Sequence, residues 1–368
     1  MRNHPFLRAR IPDPDLSARN IARRLVLYLL RLRASRAGVD LSRHEDEGLY
    51  DLACMGAVEG INMPQKDHRR AHRRASRLHD RVVRASGIGH LDKHDRERLA
   101  PLANGVSLAG ISDEHQADVL AATLHDEMPW MAPATEHAWS AMRRSVREGH
   151  LGFRLPPVIF DGPPGIGKTH WARRLGELIS AGSLVIDATS EAGSFAVVGV
   201  QRGWSGARPG RVFEFVLERL SGNPLVIVDE VEKAGHVRSS NGQSFALAQA
   251  LLPLLEPVTA ADWSCPYFRV RCDMSWVSWI LLSNSLAPLP EPLISRCTVL
   301  RLQEVELPHL IVFAERQGRT RGLSEASISA IVEALSAVAP QAGAKPSLRT
   351  VLRMLQRATD MENRPVAM

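Results

Sequence analysis

The stretch that most constrains this chain is a glycine-rich loop at residues 162–169, which fits the phosphate-binding pattern G-x-x-x-x-G-K-[ST]. Glycines let a backbone wrap closely around a phosphate, and successive N–H groups then form an anion nest. Lys168 can reach the terminal phosphates, and the Thr169 hydroxyl can ligate Mg²⁺. The predicted nucleotide contacts are Gly162, Pro163, Pro164, Gly165, Ile166, Gly167, Lys168, Thr169 and His170.

The residues on either side of the loop favour this interpretation over an ordinary glycine-rich turn. Residues 157–160 are typical of a short buried strand, and Trp171, Leu175 and Leu178 recur at helical spacing as far as Gly182. A helix that begins at the loop turns the positive end of its dipole towards a bound phosphate. The sequence therefore predicts a strand, a phosphate-binding loop and a helix.

Two further apolar segments end in polar residues. Residues 225–228 run into Asp229 and Glu230, so Asp229 is predicted to hold Mg²⁺ and Glu230 to polarise the attacking water. The alternative is a plain solvated turn at a strand end. Asn284 follows the apolar run 280–282, and a strand lying between the other two would place its amide near the γ-phosphate.

The pattern of apolar residues predicts three regions. Residues 1–128 are expected to be helical, and residues 129–304 to form an α/β domain with a five-stranded parallel sheet flanked by helices. Residues 305–368 are expected to be helical again. The expected strands lie at 157–160, 184–187, 225–228, 277–282 and 299–302.

The helix expected at residues 66–85 is dense in arginine. Arg70, Arg74, Arg77 and Arg81 share one face, which is either a surface for nucleic acid or another acidic partner, or simply a solvated face. The net charge of +6 permits such partners without demonstrating them.

Composition narrows the class of protein further. A hydrophobic content of 45% with 23% charged residues is typical of a soluble globular protein. The four cysteines contain no C-x-x-C pair, so we expect free thiols in a reducing cytoplasm and no zinc site. The apolar run 25–30 is too short for a signal peptide or a membrane span, so no membrane partner is expected.

Residues 130–360 resemble the AAA+ ATPases, and within them the ATPase module of the Lon proteases. The loop at 162–169 is similar to G-P-P-G-x-G-K-T, and 229–233, D-E-V-E-K, is similar to D-E-I-D-K. Residues 256–270 resemble a hairpin inserted before the sensor-1 strand. Residues 293–296 resemble the arginine-finger segment, and 346–349 the start of the lid helix.

The resemblance implies an ATP- and Mg²⁺-dependent hydrolase that assembles with itself, as a hexameric ring. Asn284 would be sensor 1, Arg349 would contact the nucleotide from the lid as sensor 2, and Arg296 would reach the γ-phosphate of the neighbouring subunit. Trp204, followed by Ser205, stands at the position of a pore loop that grips a protein client. Trp263 is either a second pore contact or a packing residue.

The chain also departs from the family. It ends 19 residues after Arg349 (368 − 349), so a Lon proteolytic domain and peptidase activity are not expected. The leading hypothesis is an ATPase that unfolds, threads or disassembles a protein client without cutting it. The alternatives are a motor directed at nucleic acid or nucleoprotein, as in a mobile-element or phage-defence system, and a slow nucleotide-dependent scaffold or switch.

Overall fold

The computed structural model describes residues 3–41, 46–55, 61, 64–189, 194–234, 237–238, 244–245, 247–338 and 346–363. The chain divides into two compact units. The larger unit comprises Met1–Phe6 and Asn104–Met368, and the smaller comprises Leu7–Ala103. Within the described residues, no helix combines the length and the apolar character needed to cross a bilayer.

Helices and strands alternate through most of the larger unit. The helices of the chain are α1 (Ala18–Ala37), α2 (Asp46–Met55), α3 (Gln65–Ala85), α4 (Lys93–Leu99), α5 (Glu114–Glu127), α6 (Ala132–Arg147), α7 (Lys168–Leu178), α8 (Ser194–Val198), α9 (Arg211–Arg219), α10 (Leu247–Leu255), α11 (Pro257–Ala260), α12 (Glu291–Ile294), α13 (Leu307–Thr320), α14 (Glu325–Val338) and α15 (Leu348–Glu362). The strands are β1 (Asn3–His4), β2 (Val106–Ser107), β3 (Val158–Asp161), β4 (Ser183–Asp187), β5 (Leu225–Asp229), β6 (Val237–Arg238), β7 (Ser244–Phe245), β8 (Trp263–Ser264), β9 (Arg271–Cys272), β10 (Ser278–Ser283) and β11 (Thr298–Arg301).

A five-stranded parallel sheet forms the centre of the larger unit, in the order β11-β3-β10-β5-β4. This confirms the fold class predicted from the sequence, with each strand within about two residues of its expected position. The middle strands are buried on both faces, which explains their unbroken apolar runs: all of β10 is buried. Because parallel strands end at the same edge, the polar residues after β3, β5 and β10 meet there.

The first residues of the chain pack in the larger unit. β1 pairs antiparallel with β2. Phe6 is fully buried with its ring 5.6 Å from that of Phe213, and its carbonyl accepts a hydrogen bond from the Asp273 N–H at 2.8 Å. In sequence, the smaller unit is therefore an insertion between two segments of the larger unit.

The division between the units falls at Ala103, whereas the sequence predicts a helical N-terminal region that continues to residue 128. α5 ends just before Pro129, but its apolar residues Ala117, Leu120 and Leu124 belong to the core of the larger unit. A proline that ends a helix thus does not mark the boundary of a compact unit here.

The last three helices pack mainly on one another. Leu310 and Ala314 of α13, Leu335 of α14, and Val351 and Leu355 of α15 lie in the same core as the sheet. A capping box at Ser347 fixes the start of α15. The start of that helix matters because Leu348 and Arg349 lie beside the phosphate-binding loop.

The smaller unit is helical where the structure describes it. The apolar side of α1, with Val26, Leu27 and Leu30, forms a core with Ala71 of α3. Ala75 and Val83 are also buried, so α3 docks through a narrow apolar stripe. Its arginines lie on the opposite, exposed side, as the sequence predicts.

Candidate functional site

The glycine-rich loop joins the end of β3 to the start of α7. Gly165 and Gly167 have φ angles of 81° and 92°, in the left-handed region that other residues rarely adopt. Gly167 also precedes the first residue of α7, and the Leu348 side chain lies close behind it. The chain therefore reverses tightly enough to leave its N–H groups at the helix N-terminus available for an anion.

Lys168 is the buried cation of the site, with 8% of its surface exposed. Its Nζ donates to the Ser283 carbonyl at 2.8 Å, to Asn284 Oδ1 at 2.9 Å and to the Gly162 carbonyl. Burial lowers the pKa of the Lys168 ammonium, and the nearby carboxylates of Glu232 and Asp229 oppose that shift. The ammonium is thus held at the mouth of the loop, where a phosphate would lie.

Thr169 and Asp229 face each other across the ends of α7 and β5. The Thr169 hydroxyl donates to Asp229 Oδ2 at 2.9 Å. A hydroxyl and a carboxylate are hard oxygen ligands of the kind that Mg²⁺ prefers beside nucleotide phosphates. The pair fits the predicted role of these residues as magnesium ligands.

Glu230 has an unusual backbone conformation. Its φ of 53° places a residue with a side chain in the left-handed region, immediately after β5 ends. Such conformations cost roughly 1–3 kcal/mol and concentrate at functional sites. The Glu230 carboxylate is held by Lys233, whose Nζ donates to Oε1 at 2.6 Å.

Asn284 follows β10, which the structure places between β3 and β5. Its amide is oriented from both ends. Lys168 donates to Oδ1, while Nδ2 donates to Glu232 Oε1 at 2.8 Å and the Asn284 N–H donates to the same oxygen at 3.2 Å. The sequence identified Asn284 but gave no sign of the contact with Glu232.

These residues line one cavity of about 790 Å³, together with residues of the C-terminal helices. Arg349 lies against the glycine-rich loop: a Cβ placed on Gly165 would be 3.8 Å from Arg349 Cδ. The cavity lining contains Pro164, Gly165, Gly167, Lys168, Thr169, His170, Asp229, Glu230, Asn284 and Arg349. The structure thus brings together most of the residues that the sequence predicts for a nucleotide site.

The sequence does not predict the apolar side of the cavity. Met128, Trp130, Phe313 and Leu352 line it, and the Trp130 ring lies edge-on to that of Phe313. Trp130 Nε1 donates to the Ile166 carbonyl at 2.8 Å, which ties this wall to the glycine-rich loop. In the sequence, only the position of Trp130 directly after Pro129, where the preceding helix ends, could have indicated this wall.

Arg296 is not part of this cavity lining. It follows α12, is exposed, and donates from NH1 to the Pro292 carbonyl at 2.9 Å. Its Nε lies 3.8 Å from a carboxylate oxygen of Glu256. The guanidinium is therefore held at the surface rather than at the loop of its own chain.

The loop that carries Trp204 and Ser205 is closed at its base by the pairing of Gly199 with Pro209. Gly199 and Gly210 pack so closely that a Cβ on either would lie within 2.6 Å of backbone atoms. Trp204 is 45% exposed and Ser205 is exposed. The tip of the loop thus presents a large aromatic side chain on a narrow base.

Trp263 is a packing residue, so its interpretation as a second pore contact is wrong. It is 8% exposed and pairs with Cys272 between β8 and β9. The hairpin instead contacts the Trp204 loop through Arg202, whose guanidinium lies over the Tyr267 ring at 5.0 Å.

Comparisons with known proteins agree with the architecture. Residues 158–305 match the model of the family described as "ATPase family associated with various cellular activities (AAA)". Lon protease of Nitrosococcus oceani is 33% identical over 216 residues, which cover 55% of this chain and 26% of that protein. Lon protease of Chlamydia muridarum is 31% identical over 205 residues, which cover 54% of this chain and 24% of that protein.

A more distant relative gives the same picture. The mitochondrial Lon protease homolog of Mus musculus is 28% identical over 205 residues, which cover 54% of this chain and 21% of that protein. The chain thus spans about a quarter of the length of the curated relatives it matches. With the glycine-rich loop, the five-stranded sheet and the cavity at its polar edge, these matches show that residues 158–305 form an AAA domain, and that this part of the chain is similar to part of the Lon proteases.

Proposed function

We propose that this protein is an ATP-dependent remodelling enzyme that hydrolyses ATP at subunit interfaces to unfold, thread or disassemble a protein client. The observation that carries the proposal is the convergence of Lys168, Thr169, Asp229 and Asn284 on one cavity beside a strained Glu230. In this proposal the client is released uncut. Gel electrophoresis of a model client after incubation with the protein and ATP should therefore show a client of unchanged length.

Each residue of the cavity has a role in this proposal. The N–H groups of the loop and the Lys168 ammonium bind the phosphates, and Thr169 and Asp229 would hold Mg²⁺, which would supply positive charge beside the phosphates. Glu230, whose carboxylate is paired with Lys233 in this structure, accepts a proton from the attacking water. Arg349 contacts the nucleotide from α15. The purine packs against Trp130 and Phe313, where the wall is apolar.

Glu232 is a positioning residue in this account, because it acts through Asn284. Its Oε1 accepts hydrogen bonds from the backbone N–H and from the side-chain Nδ2 of Asn284. The amide oxygen of Asn284 must therefore face Lys168 and the reacting phosphate. Its other oxygen, Oε2, is buried and makes no hydrogen bond within the described part of the chain. Burying a carboxylate oxygen without a hydrogen bond costs free energy. In this proposal, the orientation of Asn284 and the attraction to the Lys168 ammonium offset that cost.

Glu232→Gln is expected to lower kcat about 10- to 100-fold with little change in KM, since a hydrogen bond to a charged group contributes about 1.5–3 kcal/mol. Glutamine can donate to Asn284 and let its amide turn over. Steady-state kinetics of ATP hydrolysis checks the split between kcat and KM. Glu232→Asp keeps the charge and is expected to retain more activity. A change confined to KM, or a kcat loss explained by a lower Tm, would sink the assignment.

The proposed assembly is a homo-oligomeric ring, in which Arg296 of one subunit completes the site of the next. Its exposure and its position outside the cavity of its own chain support this geometry. A head-to-tail interface that closes on itself generates a ring. The expected hexamer is checked by light scattering of the purified protein with and without ATP.

Trp204 is the residue proposed to grip the client. Trp204→Ala is expected to weaken binding of an unfolded client roughly 10-fold, about 1.4 kcal/mol, because an exposed indole supplies apolar contact to any polypeptide. Fluorescence anisotropy of a labelled unfolded protein measures it. Trp204→Phe keeps an aromatic ring and should bind more tightly than the alanine variant. Equal binding by wild type and Trp204→Ala would remove Trp204 from this role.

The second candidate function is a motor directed at nucleic acid. It is favoured by the exposed arginines along one side of α3, and it predicts that DNA rather than unfolded protein stimulates ATP hydrolysis. The exposed aromatic at the loop tip favours a protein client.

A further inference from the structure

The net positive charge of this protein comes from its smaller unit. Residues 7–103 contain 20 lysines and arginines against 13 aspartates and glutamates, a formal charge of +7 (20 − 13). The rest of the chain contains 26 against 27, a charge of −1 (26 − 27). The larger unit is thus almost electrically balanced, and the excess that gives the chain its net charge of +6 lies in the smaller unit.

Much of this excess lies along α3, on one side of the helix. At 100° per residue its cationic side chains fall within an arc of about 140°. All are exposed. They are Lys66, Arg69, Arg70, Arg73, Arg74, Arg77, Arg81 and Arg84. This set is called the arginine face below.

Within the part of the chain that the structure describes, no carboxylate neutralises the arginine face. Within the described residues, none of its members forms an ion pair with a carboxylate, and Arg69 donates only to Gln65 Oε1 at 3.1 Å. Asp80 is the one acid within the arc, and Asp67 at its edge is held by Arg33. Eight like charges on one surface repel each other, so an anion that neutralises them is favourable.

We infer that the arginine face binds the phosphate backbone of duplex nucleic acid. Seven of its eight cations are arginine, whose planar fork matches a phosphate with two hydrogen bonds. The 21 residues of α3 span about 32 Å, close to one turn of B-form DNA. The arginine face thus carries positive charge along a length similar to one helical turn of a duplex.

Other anionic partners fit the face less well. α3 contains no Phe, Trp or Tyr, so it lacks the stacking platforms that bind unpaired bases. Its apolar stripe, Ala71, Ala75 and Val83, is buried within the unit, so no apolar face is left to enter a membrane. Apart from Gln65 at its first turn, the face lacks the Asn and Gln side chains that pair with adenine, and the inference assigns its arginines to phosphates rather than to base edges.

The test measures binding of the full-length protein to a labelled 25-base-pair duplex by fluorescence anisotropy between 50 and 200 mM salt. Wild type is expected to bind with a Kd of about 10⁻⁶–10⁻⁴ M near physiological salt and to weaken steeply as salt rises. The variant Arg70→Gln/Arg74→Gln/Arg77→Gln is expected to bind roughly 10- to 100-fold more weakly. Its plot of log K against log[salt] should be shallower by about 3.

A matched control separates the arginine face from net charge. Arg19→Gln/Arg24→Gln/Arg36→Gln removes the same charge from exposed positions on α1, which packs against the apolar side of α3. It should leave the salt slope within about 1 of wild type. Equal losses in both variants would show that only net charge matters and overturn the inference. Circular dichroism confirms that both variants remain folded.

Two competitors complete the test. A single strand of the same length should compete less well than the duplex, and polyglutamate less well still. If polyglutamate competes as well as the duplex, the inference is overturned in favour of an acidic protein partner. If the protein does not bind the duplex at 50 mM salt, the inference is overturned as well. The readout is binding alone, so the outcome is independent of the proposed remodelling of a protein client.

Discussion

Replacing Arg296 by alanine is expected to lower ATP turnover by about 10³- to 10⁵-fold while leaving ATP binding intact. Arg296 is exposed beyond α12, outside the nucleotide cavity of its own chain, and its guanidinium is held by the Pro292 carbonyl. In the proposed ring, an arginine placed there stabilises the transition-state charge in a neighbouring subunit. Steady-state hydrolysis and binding of a fluorescent ATP analogue measure the two effects. Arg219→Ala, at an exposed arginine at the end of α9, is the matched control.

Mixing two inactive variants tests the contribution from the neighbour. The Arg296→Ala chain keeps an intact loop, and a Lys168→Ala chain keeps Arg296. In an equimolar mixed ring about a quarter of the interfaces pair an intact Lys168 with an intact Arg296, so activity should return in part. Tagging one variant and recovering the other with it confirms that rings are mixed. No recovered activity in such rings would place Arg296 outside the site.

Replacing Glu230 by glutamine is expected to slow hydrolysis about 10²- to 10⁴-fold, the usual contribution of a general base. Glutamine has nearly the same shape as glutamate but cannot accept the proton of the attacking water. ATP should still bind, because Lys168, Thr169 and Asp229 are unchanged, and the assembled ATP-bound form should persist. Single-turnover kinetics separates the chemical step from binding and release.

Two controls apply to Glu230→Gln. Glu218→Gln makes the same change at an exposed position on α9 and should hydrolyse ATP at the wild-type rate. Lys233→Ala removes the ammonium that holds the Glu230 carboxylate, so it tests whether that ion pair restrains the base. Normal turnover by Glu230→Gln would transfer the role of general base to another residue.

The sheet and its polar edge followed from the sequence because both depend on local patterns. Each buried strand is an unbroken apolar run, and Asp229 and Asn284 directly follow such runs. Once β10 lies between β3 and β5, these residues must meet the glycine-rich loop. The roles of the individual side chains stay predictions.

The rest of the site depends on contacts between distant segments. Trp130 and Phe313 form one wall although they are far apart in the sequence, and apolar residues carry no motif. The contact between Glu232 and Asn284 needs the register of β10 against β5, which periodicity does not define. The sequence left the role of Trp263 open, because an aromatic side chain before a hairpin can face either inwards or outwards, and the structure places it inwards.

We propose that this chain hydrolyses ATP in response to a protein client. The most direct measurement is the steady-state ATPase rate of the purified full-length protein at fixed low salt, alone, with an unfolded protein and with duplex DNA. We expect wild type to hydrolyse ATP faster than Lys168→Ala, and the unfolded protein to raise its rate further. A rate no higher than that of Lys168→Ala, or stimulation by DNA but not by unfolded protein, would contradict it.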